Sequence, residues 1–267
     1  MNKLDSALHE LAQMDELADG GSPIHRLHPL VKLSVTVLYI VLVVSYGKYD
    51  LGSMMIMLLF PVLLYQISGI PVRTCFYKLR YVLPLIMAVG LLNPFFDRTP
   101  LLTLGGVTVT GGWISMLTLM MKGVLSLMMS FLLMATTRLE ALCAALRKIR
   151  VPSMLVTLLL LTFRYVSLMI KEASVMTEAY HLRAPGQKGI HFSAWGSFLG
   201  QLLLRSMDRA GELYSAMSLR GFRGEFPFAD SGPFRLRDGL ALFGSAALLL
   251  LLRFSDLTQR LGALFVR

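Results

Sequence analysis

The chain has 267 residues, of which 55% are hydrophobic and only 16% charged, and its formal net charge is +10. A soluble domain carries about 25% charged residues, so this composition excludes an ordinary soluble domain and indicates a multi-pass membrane protein. The positive charge fits cytoplasmic loops, which retain Lys and Arg, better than a nucleic-acid-binding surface, and no nucleic-acid partner is expected.

Residues 1–30 are expected to form a cytoplasmic N-terminal segment. Apolar residues at helical spacing predict a short amphipathic helix: Leu4, Leu8, Leu11, Met14 and Leu17. The Gly-Gly-Ser-Pro stretch at 20–23 ends it. His25 and His28 are three residues apart and could touch one ion. No carboxylate or third ligand is near them in sequence, so no metal site is predicted.

Five apolar runs predict an all-α membrane protein with about five transmembrane helices. Four lie within residues 31–135 and the fifth within 238–267: Val31–Tyr46, Leu51–Ile67, Tyr81–Phe96, Trp113–Ala135 and Gly239–Leu252. A spanning helix needs about 20 apolar residues, so several of these runs are short. Pro84 is expected to kink the third run. Lys122 interrupts the fourth and should face protein or water rather than lipid.

Two features between the runs add local structure and orientation. Alternating residues at 107–110 between glycine pairs predict a short β-hairpin. The connection 68–80 carries three basic residues, whereas 47–50 and 97–112 carry one each. The positive-inside rule therefore places the N-terminus and residues 136–237 in the cytoplasm, with five spans. Residues 136–237 hold fourteen Lys/Arg and seven Asp/Glu, which agrees.

Residues 136–237 are expected to form a cytoplasmic coupling domain of about three helices between the fourth and fifth spans. Thr137 and Glu140 have capping-box spacing and open a helix over 138–149. A second helix runs from Ser153 to about Arg183, roughly 45 Å. Ser193 is expected to cap a third that ends at Leu219.

Two glycine features belong to this third helix. Gly221 is its predicted stop signal. Gly196 and Gly200 are expected to allow close helix contact.

An alternative makes Met154–Ile170 a sixth span with Arg164 buried. An arginine deep in a bilayer costs several kcal/mol, which favours the cytoplasmic interpretation.

Two of the predicted coupling helices end at an arginine, Arg183 and Arg220. A cation there complements the helix dipole by about 0.3–1 kcal/mol, which is a purely structural role. A guanidinium at an exposed helix end can also form charge-assisted hydrogen bonds with an acidic groove on another protein. Two similar Leu-Arg-small ends, 37 residues apart, favour the docking role.

The chain resembles the transmembrane T component of energy-coupling factor transporters, the CbiQ/EcfT family. The matching stretches are Ser22–Leu33, Thr136–Glu140, Leu202–Ala210 and Ala216–Phe222. The His-Arg-Leu-x-Pro motif in the first stretch is most like the cobalt-transport CbiQ branch.

The resemblance implies a membrane scaffold whose x-Arg-x motifs dock in grooves of two ATP-binding cassette ATPases. These motifs are Leu182-Arg183-Ala184 and Leu219-Arg220-Gly221. Pro185 follows the first motif, which departs from the commoner Arg-Gly or Arg-Ser pattern. The resemblance also implies a substrate-capturing, CbiM-like S component and a cell (plasma or inner) membrane location.

No active site is predicted. The chain lacks a G-x-x-x-x-G-K-[ST] loop, a His-Glu-x-x-His motif and a nucleophile elbow, so no catalytic, cofactor or metal residues are assigned and energy must come from a partner. Cobalt is the expected substrate, with nickel or a vitamin as alternatives. A remote alternative is a membrane-bound enzyme acting on phosphorylated lipid. It would need clustered acids, and these are scattered: Glu140, Glu172, Glu178, Asp208 and Glu212.

Overall fold

The computed structural model describes residues 6, 9, 13, 16–96, 100–104, 107–187, 189–224 and 234–254, with backbone alone for those between 95 and 110. The described chain is helical apart from one hairpin. Its elements are α1 (Pro29–Val44), α2 (Leu51–Met57), α3 (Leu59–Ser68), α4 (Val72–Leu79), α5 (Leu83–Gly90), α6 (Asn93–Phe96), β1 (Pro100–Leu104), β2 (Val107–Thr110), α7 (Gly111–Thr136), α8 (Leu139–Lys148), α9 (Ser153–Arg183), a 3₁₀ turn (Phe192–Ala194), α10 (Trp195–Leu219) and α11 (Leu236–Phe254).

The chain divides into two compact units. The bundle unit holds residues 18–138 and, after the coupling unit, the described residues 234–254. The coupling unit holds the described residues from 139 to 224, together with the few described residues before 18. The predicted N-terminal helix falls on Leu4, Leu8, Leu11 and Met14, which lie outside the described residues.

In the bundle unit, α7 is the central helix, and α1 to α6 all contact it. Tyr65 on α3 donates its hydroxyl to the Met128 carbonyl of α7 at 2.9 Å, deep in this core. α11 packs on α1 and α2. The core is filled largely by flexible and aromatic side chains, among them Tyr39, Met54, Met57, Leu125 and Met129.

A proline explains why the second apolar run is interrupted at Leu58. Pro61 has no N–H, so the carbonyl four residues earlier, that of Met57, loses its helical partner. The Tyr39 hydroxyl of α1 donates to that carbonyl at 3.1 Å. The break therefore supplies a hydrogen bond between helices in an apolar core. In the third run, Pro94 likewise removes the partner of the Gly90 carbonyl, where α5 ends.

Two cations close the C-terminal end of α1. Lys122 of α7 donates to the Val44 carbonyl at 3.0 Å and to the Tyr46 carbonyl at 2.5 Å. Arg253 of α11 donates to the Ser45 carbonyl at 3.3 Å, and its guanidinium lies 3.8 Å from the centre of the Tyr46 ring. Carbonyls at a helix end lack intrahelical partners, so these donors satisfy them. The prediction that Lys122 faces protein or water is confirmed.

The prediction of an all-α membrane protein is confirmed. In the described part of the chain, three helical stretches are long and apolar enough to cross a membrane: Leu51–Ser68, Gly111–Thr136 and Ser153–Arg183. Pro29–Val44 is a shorter apolar helix. The third predicted run is divided between α5 and α6, and the fifth lies in the 19-residue α11. The predicted hairpin is present, with β1 and β2 antiparallel.

Candidate coupling site

α8 opens the coupling unit but does not use the predicted capping box. The helix begins at Leu139, and the Thr137 hydroxyl is buried without a hydrogen-bond partner among the described residues. At its other end the N–H of Val151 donates to the Leu146 carbonyl and that of Arg150 to Arg147. This is the Schellman pattern, with Arg150 in the left-handed region at φ 68°.

α9 has the bounds that its sequence predicts, Ser153 to Arg183. It contains neither Gly nor Pro, and Pro152 and Pro185 flank it. Its first half leaves apolar side chains uncovered, for example Met154, Leu155 and Leu158. Its length and composition satisfy those of a membrane span, which is the alternative stated above for Met154–Ile170.

The first arginine end is closed by a small polar network. Arg183 is the last residue of α9, and the Ala184 N–H returns to the Tyr180 carbonyl at 3.0 Å. The Tyr180 hydroxyl donates to the Gln187 side-chain oxygen at 2.9 Å and accepts the His191 N–H at 3.3 Å. This network folds the following loop back onto the last turn of the helix.

The second arginine end is closed by the backbone alone. The N–H of Phe222 donates to the Met217 carbonyl and that of Gly221 to Ser218, both at 3.0 Å. Gly221 has φ 81°, a conformation that costs glycine little. This is a complete Schellman motif, so the predicted stop signal is confirmed and Arg220 occupies the C-cap.

Both arginines are exposed, and so are the leucines before them. Leu182 is 83% exposed and Leu219 is 90% exposed. A leucine left almost fully in solvent beside an exposed guanidinium offers an apolar contact and a charge at one place. Each end therefore presents an apolar side chain and a positive charge next to each other at the surface of the described chain.

An ionic contact joins the two long helices: Arg205 of α10 bonds to the Glu172 carboxylate of α9. Within α10, Arg209 lies 3.5 Å from Glu212, one turn further along the helix. A cavity of about 190 Å³ lies here, lined by Met169, Glu172, Arg205, Asp208, Arg209 and Glu212. Arg205 and Glu172 both keep contact with solvent, so such a pair contributes only about 0–1 kcal/mol.

α10 has no buried residue, and two predictions about it are wrong. A side chain added at Gly196 or Gly200 would meet nothing within 4 Å, so these glycines do not mediate close packing among the described residues. Ser193 is not the cap, because the side chain of His191 accepts the Ser193 N–H. Several large apolar side chains of α10 are exposed: Leu199, Leu203, Met207 and Tyr214.

His25 and His28, which are three residues apart and could touch one ion, both have partners within the protein. His25 Nδ1 lies 2.6 Å from the Ser22 hydroxyl. His28 Nδ1 accepts the Leu30 N–H at 3.1 Å and caps α1. Within the described residues no group of three His, Cys, Asp or Glu is placed to hold a metal ion.

The residues that close the first arginine end escaped the sequence analysis. Tyr180, Gln187 and His191 have no local pattern that marks them, because their hydrogen bonds cross a loop of seven to eleven residues. The Pro-Gly pair at 185–186 was the available signal, since it requires the chain to reverse there.

Comparison with known proteins gives a consistent result. The profile of a family described as CbiQ, cobalt transport protein, matches residues 20–228. The energy-coupling factor transporter transmembrane protein EcfT of Leuconostoc gelidum subsp. gasicomitatum is 29% identical over 76% of this chain and 81% of its own length.

Two shorter matches carry substrate names. The nickel permease LarQ of Lactiplantibacillus plantarum is 31% identical over 40% of this chain and 39% of its own length. The cobalt transport protein CbiQ of Rhodobacter capsulatus is 33% identical over 38% of this chain and 42% of its own length.

Proposed function

Since the chain belongs to the CbiQ/EcfT family of energy-coupling factor transporter T components, we propose that it links ATP hydrolysis by partner ATPases to ion uptake. In this proposal Arg183 and Arg220 each dock in an acidic groove of one of two ATP-binding cassette subunits. A separate S component captures the ion. The chain itself supplies a membrane scaffold and two levers, without chemistry of its own.

The exposed arginine ends are the observation that carries this proposal. Each arginine ends a long helix. The helix dipole stabilises a guanidinium there only weakly, whereas carboxylates of a partner would bind it through stronger, charge-assisted hydrogen bonds. The exposed apolar face of α10, at Leu199, Leu203, Met207 and Tyr214, supports a second contact with an apolar partner. We assign that face to the S component.

The proposed cargo is Co²⁺, and Ni²⁺ is the second candidate. The family description and the Rhodobacter relative carry the name of cobalt, whereas LarQ is a nickel permease. Uptake of each ion by cells that express the complete complex separates the two. Cobalt uptake without nickel uptake is the expected result, and the reverse would reassign the substrate.

Charge reversal at both arginine ends tests the coupling role. The double variant Arg183→Glu, Arg220→Glu is expected to lose the ATPases on purification in detergent and to abolish ion uptake. Like charges would then face each other in the grooves, which costs several kcal/mol at an interface. Uptake at the wild-type rate would disprove the proposal.

The matched control reverses two other exposed cations of the same helices. Lys171→Glu on α9 with Arg209→Glu on α10 changes the net charge by the same amount. This control is expected to keep both ATPases bound. If it also releases them, the effect is one of total charge and not of the arginine ends.

Cysteine labelling from the cytosolic side tests the orientation. In the five-span arrangement the end of α9 lies in the cytoplasm, whereas a sixth span over Met154–Ile170 would place it outside. Ala179→Cys, at an exposed position, is expected to react with a membrane-impermeant maleimide only from the cytosol. Burial raises the pKa of the Cys75 and Cys143 thiols, so the native cysteines stay unreactive.

A further inference from the structure

The chain passes between the bundle unit and the coupling unit three times: after Leu17, after the end of α7 and before the start of α11. We call the last two the first and second points of passage. One short piece of chain, residues 19–32, contacts both points, and we name it the lead-in segment. Its sequence contains the His-Arg-Leu-His-Pro motif, to which the proposed function assigns no role.

At the first point, the lead-in segment closes the end of α7. Lys32 Nζ donates to the Thr136 carbonyl at 2.6 Å and to the His25 carbonyl at 3.3 Å. Thr136 is the last residue of α7, so its carbonyl lacks a helical partner and a positive charge there is favourable. Two residues later, Arg138 binds both carboxylate oxygens of Asp19 through Nε and Nη2.

At the second point, the lead-in segment joins the first turn of α11. Asp238 accepts the Arg235 N–H at 2.9 Å through one oxygen and the His28 N–H at 3.1 Å through the other. The His28 ring also lies 5.8 Å from the Phe234 ring, centre to centre. The carboxylate thus caps the helix and holds a residue 210 positions earlier in the chain.

The charge state of Asp238 suits this double role. Burial raises its pKa, but the N–H groups of Arg235 and His28 outweigh burial, so the pKa lies below its ordinary value. The carboxylate is therefore ionised at neutral pH and accepts both hydrogen bonds as a charged group, which strengthens them.

Burial singles out the same two points. Among the described Asp, Glu, Lys and Arg side chains, Lys32 and Asp238 are the ones that are buried, at 8% and 6% exposure. Burying a charge costs hydration, and here hydrogen bonds at each point compensate for that cost. One such charge sits at each point of passage.

We propose that the lead-in segment is a clamp that holds the two points of passage at a fixed separation, with Lys32 and Asp238 as positioning residues. A movement of the coupling unit then shifts the ends of α7 and α11 together instead of being lost in loose connections. Because α1 to α6 all pack on α7, that shift reaches the whole bundle. This inference rests on the proposed function.

The test uses the complete transporter, with both ATPases and the S component, in proteoliposomes. Uptake of radiolabelled Co²⁺, or of Ni²⁺ if the wild type carries nickel, is measured together with ATP hydrolysis in the same vesicles. Asp238→Ala and Lys32→Met are expected to assemble and hydrolyse ATP while ions taken up per ATP fall about tenfold, within the range that changes in coupling networks span.

The control is Asp50→Ala. Asp50 accepts the Gly47 N–H at 3.1 Å in a turn of the same bundle unit, and it touches neither point of passage in the described contacts. Its uptake per ATP is expected to stay at the wild-type value. A charge exchange adds a rescue: Asp19→Arg lowers uptake per ATP, and Asp19→Arg combined with Arg138→Asp restores it.

The outcomes separate the clamp from the proposed function. Asp238→Ala with uptake per ATP equal to that of Asp50→Ala overturns the clamp, and so does a loss of uptake that only follows the amount of assembled complex. If Asp238→Ala does not assemble, the exchange decides: an unaffected single variant or an unrestored pair also overturns it. Failure of the proposed function shows separately, as full uptake by the Arg183→Glu, Arg220→Glu variant.

Discussion

α7 and α10 have nearly equal lengths, 26 and 25 residues, but opposite surroundings. Eleven residues of α7 are buried, whereas α10 has none. α7 is covered by helices of its own chain. Its Met128 carbonyl accepts the Tyr65 hydroxyl of α3, and its Lys122 donates to the Val44 carbonyl at the end of α1. Among the described residues α10 contacts α9 and the 3₁₀ turn, and it buries no residue of its own. Propensity alone contributes little to the stability of a helix, so α10 gains little of the packing that stabilises α7.

The two helices also differ in how they are attached. Contacts in the bundle unit include directional hydrogen bonds between helices. The Tyr65 hydroxyl donates to the Met128 carbonyl, and Lys122 donates to the Val44 carbonyl at the end of α1. The contact between α9 and α10 includes a solvent-exposed ion pair, Arg205 with Glu172. Surface ion pairs are weak and re-form readily, so this crossing can adjust while the bundle unit keeps its packing.

The largest expected effect comes from introducing a leucine into α7, and the same change in α10 is its comparison. A side chain at Gly123 of α7 would approach the Ile86 Cδ1 atom of α5 to 2.8 Å. Gly123→Leu is therefore expected to cost about 2–3 kcal/mol by overpacking, and thermal unfolding in detergent measures the loss.

Gly211→Leu on α10 is the matched change. Nothing lies within 4 Å of that position, so we expect no loss, and a gain of up to about 0.8 kcal/mol from helix propensity. Equal destabilisation by the two variants would show that α10 is covered in the isolated protein, contrary to the comparison above.

Removing single hydroxyl groups tests which buried hydrogen bonds stabilise the bundle unit. Tyr65→Phe deletes the hydrogen bond to Met128 and is expected to cost about 1 kcal/mol. Tyr46→Phe deletes a buried hydroxyl that has no partner among the described residues, so stability should stay the same or rise. The two thermal midpoints, measured side by side, decide this; a larger drop for Tyr46→Phe would contradict it.

Two helices of the coupling unit end in the same motif, so glycine can be removed from one end and introduced at the other. Gly221 and Arg150 both occupy the left-handed position of a Schellman ending, at φ 81° and 68°. Gly221→Ala is expected to cost about 1 kcal/mol and Arg150→Gly to gain about 1 kcal/mol, because only glycine avoids strain there. Thermal unfolding measures both, and hydrogen exchange near Arg220 should increase only in Gly221→Ala. Effects of the same sign would exclude backbone strain as the cause.

Local signals in the sequence predicted the local structure well. The bounds of α9 follow from its flanking prolines, and the end of α10 follows from Gly221. The hairpin follows from its glycine pairs and alternating residues. The cap at Thr137 and the close contact at Gly196 were wrong because each depends on what packs against the position, which a single sequence does not contain.

The long-range contacts were beyond sequence reasoning altogether. His28 and Asp238 meet across 210 positions, and no spacing rule relates them. The break at Leu58 can be inferred from Pro61. That the Tyr39 hydroxyl donates to the Met57 carbonyl in place of the missing helical N–H cannot. For the candidate site, the position of the two arginines at helix ends could be predicted from sequence, because helix ends have a local signature. The network of Tyr180, Gln187 and His191 beside Arg183 has none.

The smallest expected effect tests the ionic crossing of α9 and α10. Glu172→Arg and Arg205→Glu should each lower stability slightly, and the combined exchange should recover it, with an interaction energy of about 0.5 kcal/mol. The double-mutant cycle is measured by chemical unfolding at low and high salt. At about 1 M salt the Debye length falls to roughly 3 Å, so the interaction should nearly vanish. A coupling of several kcal/mol that survives high salt would mean that the crossing is as rigid as the bundle unit, and an adjustable crossing between the levers would have to be abandoned.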